Sequence, residues 1–205
     1  MALTVLAAAV LYLLIPEDFR LSDATKYTYP VVLLTLLAVL VIGDPGRIDR
    51  ENRWLRIVTG VLILVITAAT AISVVRVVVG ILTSASFTSP SQLLAIGAIV
   101  WSNNVIAFTL WYWHLDAGGP AARAAGHRVT RPAFHFPESD LTEEVGEGWY
   151  PQLVDYLALS FNTATAFSPT DVSAIRHWAK VMLILESSIS LVLVALVVAR
   201  AINIL

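Results

Sequence analysis

Apolar residues in this chain come in long blocks separated by short polar turns, and no block alternates residue by residue. The blocks run Ala2 to Ile15, about Thr28 to Ile42, Leu55 to Leu82, Gln92 to Trp113 and Ile175 to Leu205. Buried strands are short runs and half-buried strands alternate, so these lengths predict helices. A helix needs roughly 20 apolar residues to cross a bilayer; the third, fourth and fifth blocks reach that and the first falls short. GDPG at Gly43–Gly46 is a strong turn signal, and FTSPS and HLDAGGP bound the fourth block. The expected fold class is all-α: a polytopic membrane helical bundle with about five spans or near-spans and a short re-entrant helix before the last. The layout is a single domain over 1–205: four apolar segments in 1–113, a polar loop over 114–149, then the re-entrant helix and final span in 150–205.

The loop His114 to Trp149 drifts from small and basic (GGPAARAAGHR) to acidic (PESDLTEEVGEGW). Loops beyond about 15 residues are usually functional or disordered. A solvated connector is the plainer alternative.

Composition strengthens the membrane reading. The chain is 58% hydrophobic and 14% charged, against about 25% charged in an ordinary soluble domain. The lipid bilayer is the expected partner, and the expected location is a cell membrane, crossed several times, of the bacterial inner-membrane kind. The net charge of −2 argues against a nucleic-acid partner, which needs a large basic patch. There are no cysteines, which removes disulfides, thiol catalysis, iron–sulfur clusters and cysteine zinc sites. The first basic residue is Arg20, so Ala2 to Ile15 lacks the basic start of a cleavable signal and reads as a retained span.

Basic residues orient the bundle. Arg47, Arg50, Arg53 and Arg56 precede the third block; Arg123, Arg128 and Arg131 lie in the long loop; Arg176 and Lys180 open the fifth block. If the third and fourth blocks form a hairpin, all fall on one side, and the positive-inside rule makes that side cytoplasmic. The spacing of Arg47 to Arg56 fits an interfacial helix on anionic headgroups or a plain anchoring cluster. Trp101, Trp111, Tyr112, Trp113, Trp149, Tyr150 and Trp178 form an aromatic belt.

The candidate chemistry lies in Tyr156 to Asp171, reading YLALSFNTATAFSPTD. A Ser/Thr/Asn-rich stretch beside a long apolar block suits backbone that lines a cavity or dips into a bilayer. Pro151 to Thr165 is the expected re-entrant helix. Asp155 is placed to cap or orient it, and Asp171 to N-cap the final helix. In an oligomer, a ring of Asp171 would select cations at a pore mouth.

Within the spans the polar residues are Arg76, Asn103, Asn104 and Glu186. A central ionisable group costs about 2.5–3.5 kcal/mol on insertion scales. Arg76 lies near its block's end and is expected to snorkel to the interface. Its depth differs from that of Glu186 by roughly 14 Å at 1.5 Å per residue, so the two should not pair. Asn103 and Asn104 approach the depth of Glu186. A bond from Asn104 to Glu186 would serve as helix glue or as an ion or proton site. The histidines at 114, 127, 135 and 177 lack metal-ligand spacing. No triad, phosphate loop or dinucleotide fingerprint is visible, so the chain reads as a non-enzyme without cofactor or metal.

From Trp149 to Asn203 the layout resembles the pore module of tetrameric cation channels: a short helix, a filter segment and an inner helix. Tyr156, Ser160, Thr163, Thr165 and Asp171 carry the likeness. Thr165-Ala166-Phe167-Ser168-Pro169-Thr170-Asp171 stands where that family has TTVGYGD. The resemblance implies a channel or permeation protein passing a monovalent ion, and a charged Glu186 that lacks enough partners within one chain motivates a homo-oligomer. Ser168 and Thr170 occupy the glycine positions and Pro169 the tyrosine position. A potassium filter needs left-handed backbone that glycine supplies, so the expectation is a hydroxyl-lined, less selective pore. The same stretch, with the ending ARAINIL, also resembles a group of uncharacterised bacterial multi-span integral membrane proteins, which implies a fold and no activity. The alternative function is a non-conducting membrane scaffold or accessory subunit.

Overall fold

The computed structural model describes residues 1–43, 53–83, 89–124, 131–165 and 171–204. Among these, the helices are α1 (Ala2–Leu13), α2 (Thr25–Gly43), α3 (Arg53–Leu82), α4 (Pro90–Leu115), α5 (Pro120–Ala124), α6 (Thr142–Val145), α7 (Leu153–Thr165) and α8 (His177–Ile204). Two strands of two residues each, β1 (Phe134–His135) and β2 (Ser173–Ala174), pair antiparallel. The fold is all-α apart from this ladder. Four helices, α2, α3, α4 and α8, are long and apolar enough to cross a membrane. The 12-residue α1 is not, since it covers roughly 18 Å.

The helix ends follow local chemistry. Pro90 opens α4 behind an extended Ser89, the position where a missing N–H costs nothing. At its other end the chain turns through Gly119 at φ +99, where a Cβ would also lie 3.2 Å from the His114 carbonyl. Glycine is required there on both counts.

The bundle is built around α4. Its spanning window is 67% buried, against 11% for α2, 33% for α3 and 22% for α8. Two apolar clusters pack against different faces of it. The larger joins α1, α2, α3 and the last half of α8 to α4 from Leu93 to Leu110, through Val5, Ala8, Leu33, Ile66 and Val197. The smaller joins the second half of α4 to residues 133–136, α7 and the start of α8, through Phe108, Tyr112, Phe134, Phe136, Tyr156 and Ala179. Gly97 lets α8 approach closely: a Cβ there would meet Val197 at 2.8 Å.

The long polar loop is a solvated connector only in part. Phe134 meets Tyr112 at 5.1 Å and Trp178 at 6.0 Å, and Phe136 meets Tyr156 at 5.2 Å, all edge-on. Three aromatic side chains at one end of α4, α7 and α8 leave an apolar hollow, and Ala133, Phe134 and Phe136 fill it.

Positive charge gathers at that end. His114 of α4 lies over Gly60 of α3 and shares a cleft with Arg53 and Arg56. The antiparallel α3–α4 pair therefore brings Arg53 and Arg56 to the end that also carries Arg123, Arg131, Arg176 and Lys180. Arg76 lies at the opposite end, where its guanidinium donates to the carbonyls of Asp18 (3.3 Å) and Leu21 (3.2 Å) in the α1–α2 turn.

Candidate functional site

The site is organised by α7. Its first turn is closed by Asp155, whose carboxylate accepts from the Gln152 N–H at 2.6 Å, half of a capping box. Asp155 thus holds the helix start, as its place in the sequence suggests. Tyr156, Ser160 and Ala164 recur every fourth residue and form one buried face.

The partners of that face run backwards along α4. The Tyr156 hydroxyl donates to Asp116 Oδ2 at 2.6 Å. The Ser160 Oγ lies 2.9 Å from the Val105 carbonyl. The Trp101 indole N–H donates to the Ala164 carbonyl at 3.5 Å. α7 therefore starts at the basic end and finishes level with Trp101, close to the middle of α4. The chain is back at the basic end by β2. The Ile175 N–H donates to the Ala133 carbonyl at 2.7 Å, and the Ala133 N–H donates to Asp116 Oδ1 at 2.6 Å. Asp116, fully buried, thereby ties together the start of α7, the connector and the approach to α8.

Arg123 completes this end. Its guanidinium donates to the carbonyls of Asp116 (2.6 Å) and Trp113 (2.9 Å), covering the open end of α4. It also stacks 5.0 Å from the centre of the Tyr156 ring, a cation–π contact. Burial draws the Arg123 pKa below its ordinary value, and the nearby Tyr156 and Asp116 oppose that shift.

Deeper in the bundle lies Glu186, with none of its surface exposed. The Tyr112 hydroxyl donates to its Oε2 at 2.5 Å, and Ser160 bonds its Oε1. Ser160 also sits against the Val105 carbonyl, yet a hydroxyl has one hydrogen. Both contacts are made together when the carboxyl carries a proton and donates it to Ser160. One side chain of α8 thus pins α7 to α4.

The other polar residues singled out in the sequence fall in different places. Asn104 is buried and donates to Ser190 Oγ at 3.0 Å, so the expected bond to Glu186 is not formed. α4 and α8 are antiparallel, and their register puts Ser190 opposite Asn104 and Glu186 opposite Tyr112. Asn103 is also buried, and among the described residues its Oδ1 has no partner, as is true of Ser73 Oγ on α3. Arg76 and Glu186 lie toward opposite ends and do not meet. The hydroxyls of Thr163 and Thr165 turn back to the carbonyls of Leu159 (2.8 Å) and Asn162 (3.0 Å). Asp171 is exposed and stands upstream of α8, which begins at His177. The N-cap expected of Asp171 is therefore not made: the extended β2 pairing keeps the chain out of helix until Arg176. Ala166, Phe167, Ser168, Pro169 and Thr170 lie outside the described residues.

Tyr112, Asp116, Ser160 and Arg123 form the site's frame, and reading the chain in order does not single them out as a group. The Tyr156–Ser160 spacing on an otherwise apolar helix face is the signal that was there to find. Among the described residues no cluster of three or more His, Asp or Glu could hold a metal ion. No protein-family model matches the chain, and no curated protein or solved structure matches it.

Proposed function

We propose that the chain is a multi-pass membrane protein in which α2, α3, α4 and α8 cross the bilayer and α7 enters and leaves from the basic end. In this reading it works as a homo-oligomeric, channel-like permeation protein for a monovalent cation. The observation that carries it is the path of α7: Tyr156 beside Asp116, Ala164 beside Trp101, and Ile175 back at Ala133. A helix that stops at half depth is tolerated in a bilayer where protein buries it or a watery cavity receives it. The carbonyl end of a helix carries about half a negative charge, and at half depth that end favours a cation. The hydroxyl-rich segment Thr163 to Asp171 follows directly. The excess of Arg and Lys at the basic end makes it cytoplasmic, in a membrane of the bacterial inner-membrane kind.

Ion flux through liposomes containing the purified protein tests this. Cation flux that falls on Thr165→Val supports it; no flux of any common cation, anion or proton overturns it.

A second reading, a non-conducting scaffold or accessory subunit, draws on Glu186. Tyr112 and Ser160 of the same chain enclose it, so the costliest polar group has a structural task and needs no pore or second copy. A monomer without flux supports this reading, and a homo-oligomer with flux supports the first.

A further inference from the structure

A cleft of about 370 Å³ at the basic end is lined by Arg53, Arg56, Ile57, Gly60 and His114. Arg53 and Arg56 are exposed and one turn apart in the first turn of the 30-residue α3. The two guanidinium groups give the cleft a positive charge that favours an anion. The second observation is His114. It is only 7% exposed, it faces the cleft over Gly60, and among the described residues its ring makes no hydrogen bond. An imidazole has at least one N–H to give, and this ring presents its nitrogen to the cleft.

The charges that act on this ring, Arg56 and Arg123, are both positive. The nearest buried carboxylate, Asp116, is turned away to Tyr156 and Ala133. Among the described residues, the side chains lining the cleft offer donors and include no carboxylate. Below it, Ile57, Val61 and Leu64 form an exposed apolar strip along the same face of α3, 60%, 44% and 57% exposed. A free anion has no use for that strip, and an acyl chain does.

We propose that this cleft binds the phosphate of an anionic glycerophospholipid, with Arg53, Arg56 and His114 as donors and an acyl chain along Ile57, Val61 and Leu64. The site rests on the bilayer reading of α3 and α4 and does not depend on permeation. Free phosphate would use the same donors without the strip.

The test uses the full chain in nanodiscs of phosphatidylcholine with a minor share of phosphatidylglycerol. Native mass spectrometry after extraction reads the retained lipid. Each of Arg53→Gln and Arg56→Gln is expected to lower phosphatidylglycerol retention about fivefold, the effect of one arginine at an anionic surface. His114→Phe is expected to lower it as well, while Arg176→Gln at the same end leaves it unchanged. Inorganic phosphate at the same headgroup concentration should fail to displace the lipid. Unchanged retention in the double variant Arg53→Gln/Arg56→Gln overturns the site, and so does an equal loss in Arg176→Gln. Displacement by inorganic phosphate overturns the lipid assignment. Circular dichroism of each variant keeps misfolding apart from lost binding. The readout involves no ion flux, so a failure here is separate from a failure of the permeation reading.

Discussion

α1 and α7 are near twins in length, 12 and 13 residues, and each covers about half of α4. They are held in opposite ways. α1 buries Val5, Ala8, Ala9 and Tyr12, and its side-chain hydrogen bonds, from the Tyr12 hydroxyl to Thr25 Oγ1 at 2.9 Å and from Arg20 to the Leu13 carbonyl at 3.4 Å, lie at its last turn. α7 buries Tyr156, Leu159, Ser160 and Ala164, with polar contacts at three successive turns to Asp116, Glu186 and Trp101. Apolar burial is non-directional and scales with area, so it holds α1 against the bundle without dictating its depth. Hydrogen bonds fix distance and direction, so α7 has one depth and one rotation. Together the two short helices explain why α4 is the most buried of the long ones. In the proposed permeation reading, this fixed depth sets where the end of α7 lies.

The sharpest way to break this contrast is Glu186→Ala. It leaves the buried Tyr112 hydroxyl without its acceptor and Ser160 without the proton that Glu186 gives it, and unfolding in detergent should show a loss of about 3 kcal/mol. Hydrogen exchange should rise along α7 and stay unchanged in α1. Equal loosening of both helices would dissolve the distinction. Next in size, Ala8→Leu forces extra methylene groups into a fully buried position of α1, at a cost of about 2 kcal/mol. Its exchange signature should be the reverse, with α1 loosened and α7 intact. Tyr156→Phe removes one bond to Asp116 and should cost about 1 kcal/mol; backbone exchange at 133–136 should rise with it, since Asp116 also holds Ala133. The smallest effect is expected from Asn104→Ala, about 0.6 kcal/mol for one interhelical contact, read by the same unfolding measurement. A loss as large as that of Glu186→Ala would mean that the polar contacts between α4 and α8 matter more than those that hold α7.

Much of the frame was legible from residue order alone. Long apolar runs broken at Gly43–Gly46, before Pro90 and after Leu115 became α2, α3 and α4 because helix formation and termination depend on neighbours within a turn or two. Asp155 closing α7 is equally local, a capping carboxylate three residues into a helix; that Arg76 lies near the end of its block was legible too, whereas its partners, the Asp18 and Leu21 carbonyls, were not. The half-length of α7 also followed from its mixed composition.

Who meets whom did not follow. Glu186 found Tyr112, 74 positions away, because the antiparallel register of α4 and α8 is set by packing such as Gly97 against Val197. Shifting that register by one turn would have given Asn104 the acid instead. Phe134 and Phe136 turned a polar loop into a plug because three helices left them an apolar hollow. β1 then held β2 extended and took from Asp171 the cap its place in the chain suggested. Sequence by itself determined which segments are helices and where they stop, since those forces act within one turn. Only the tertiary structure decided which polar groups satisfy one another, since that depends on the relative slide and rotation of helices far apart in the chain.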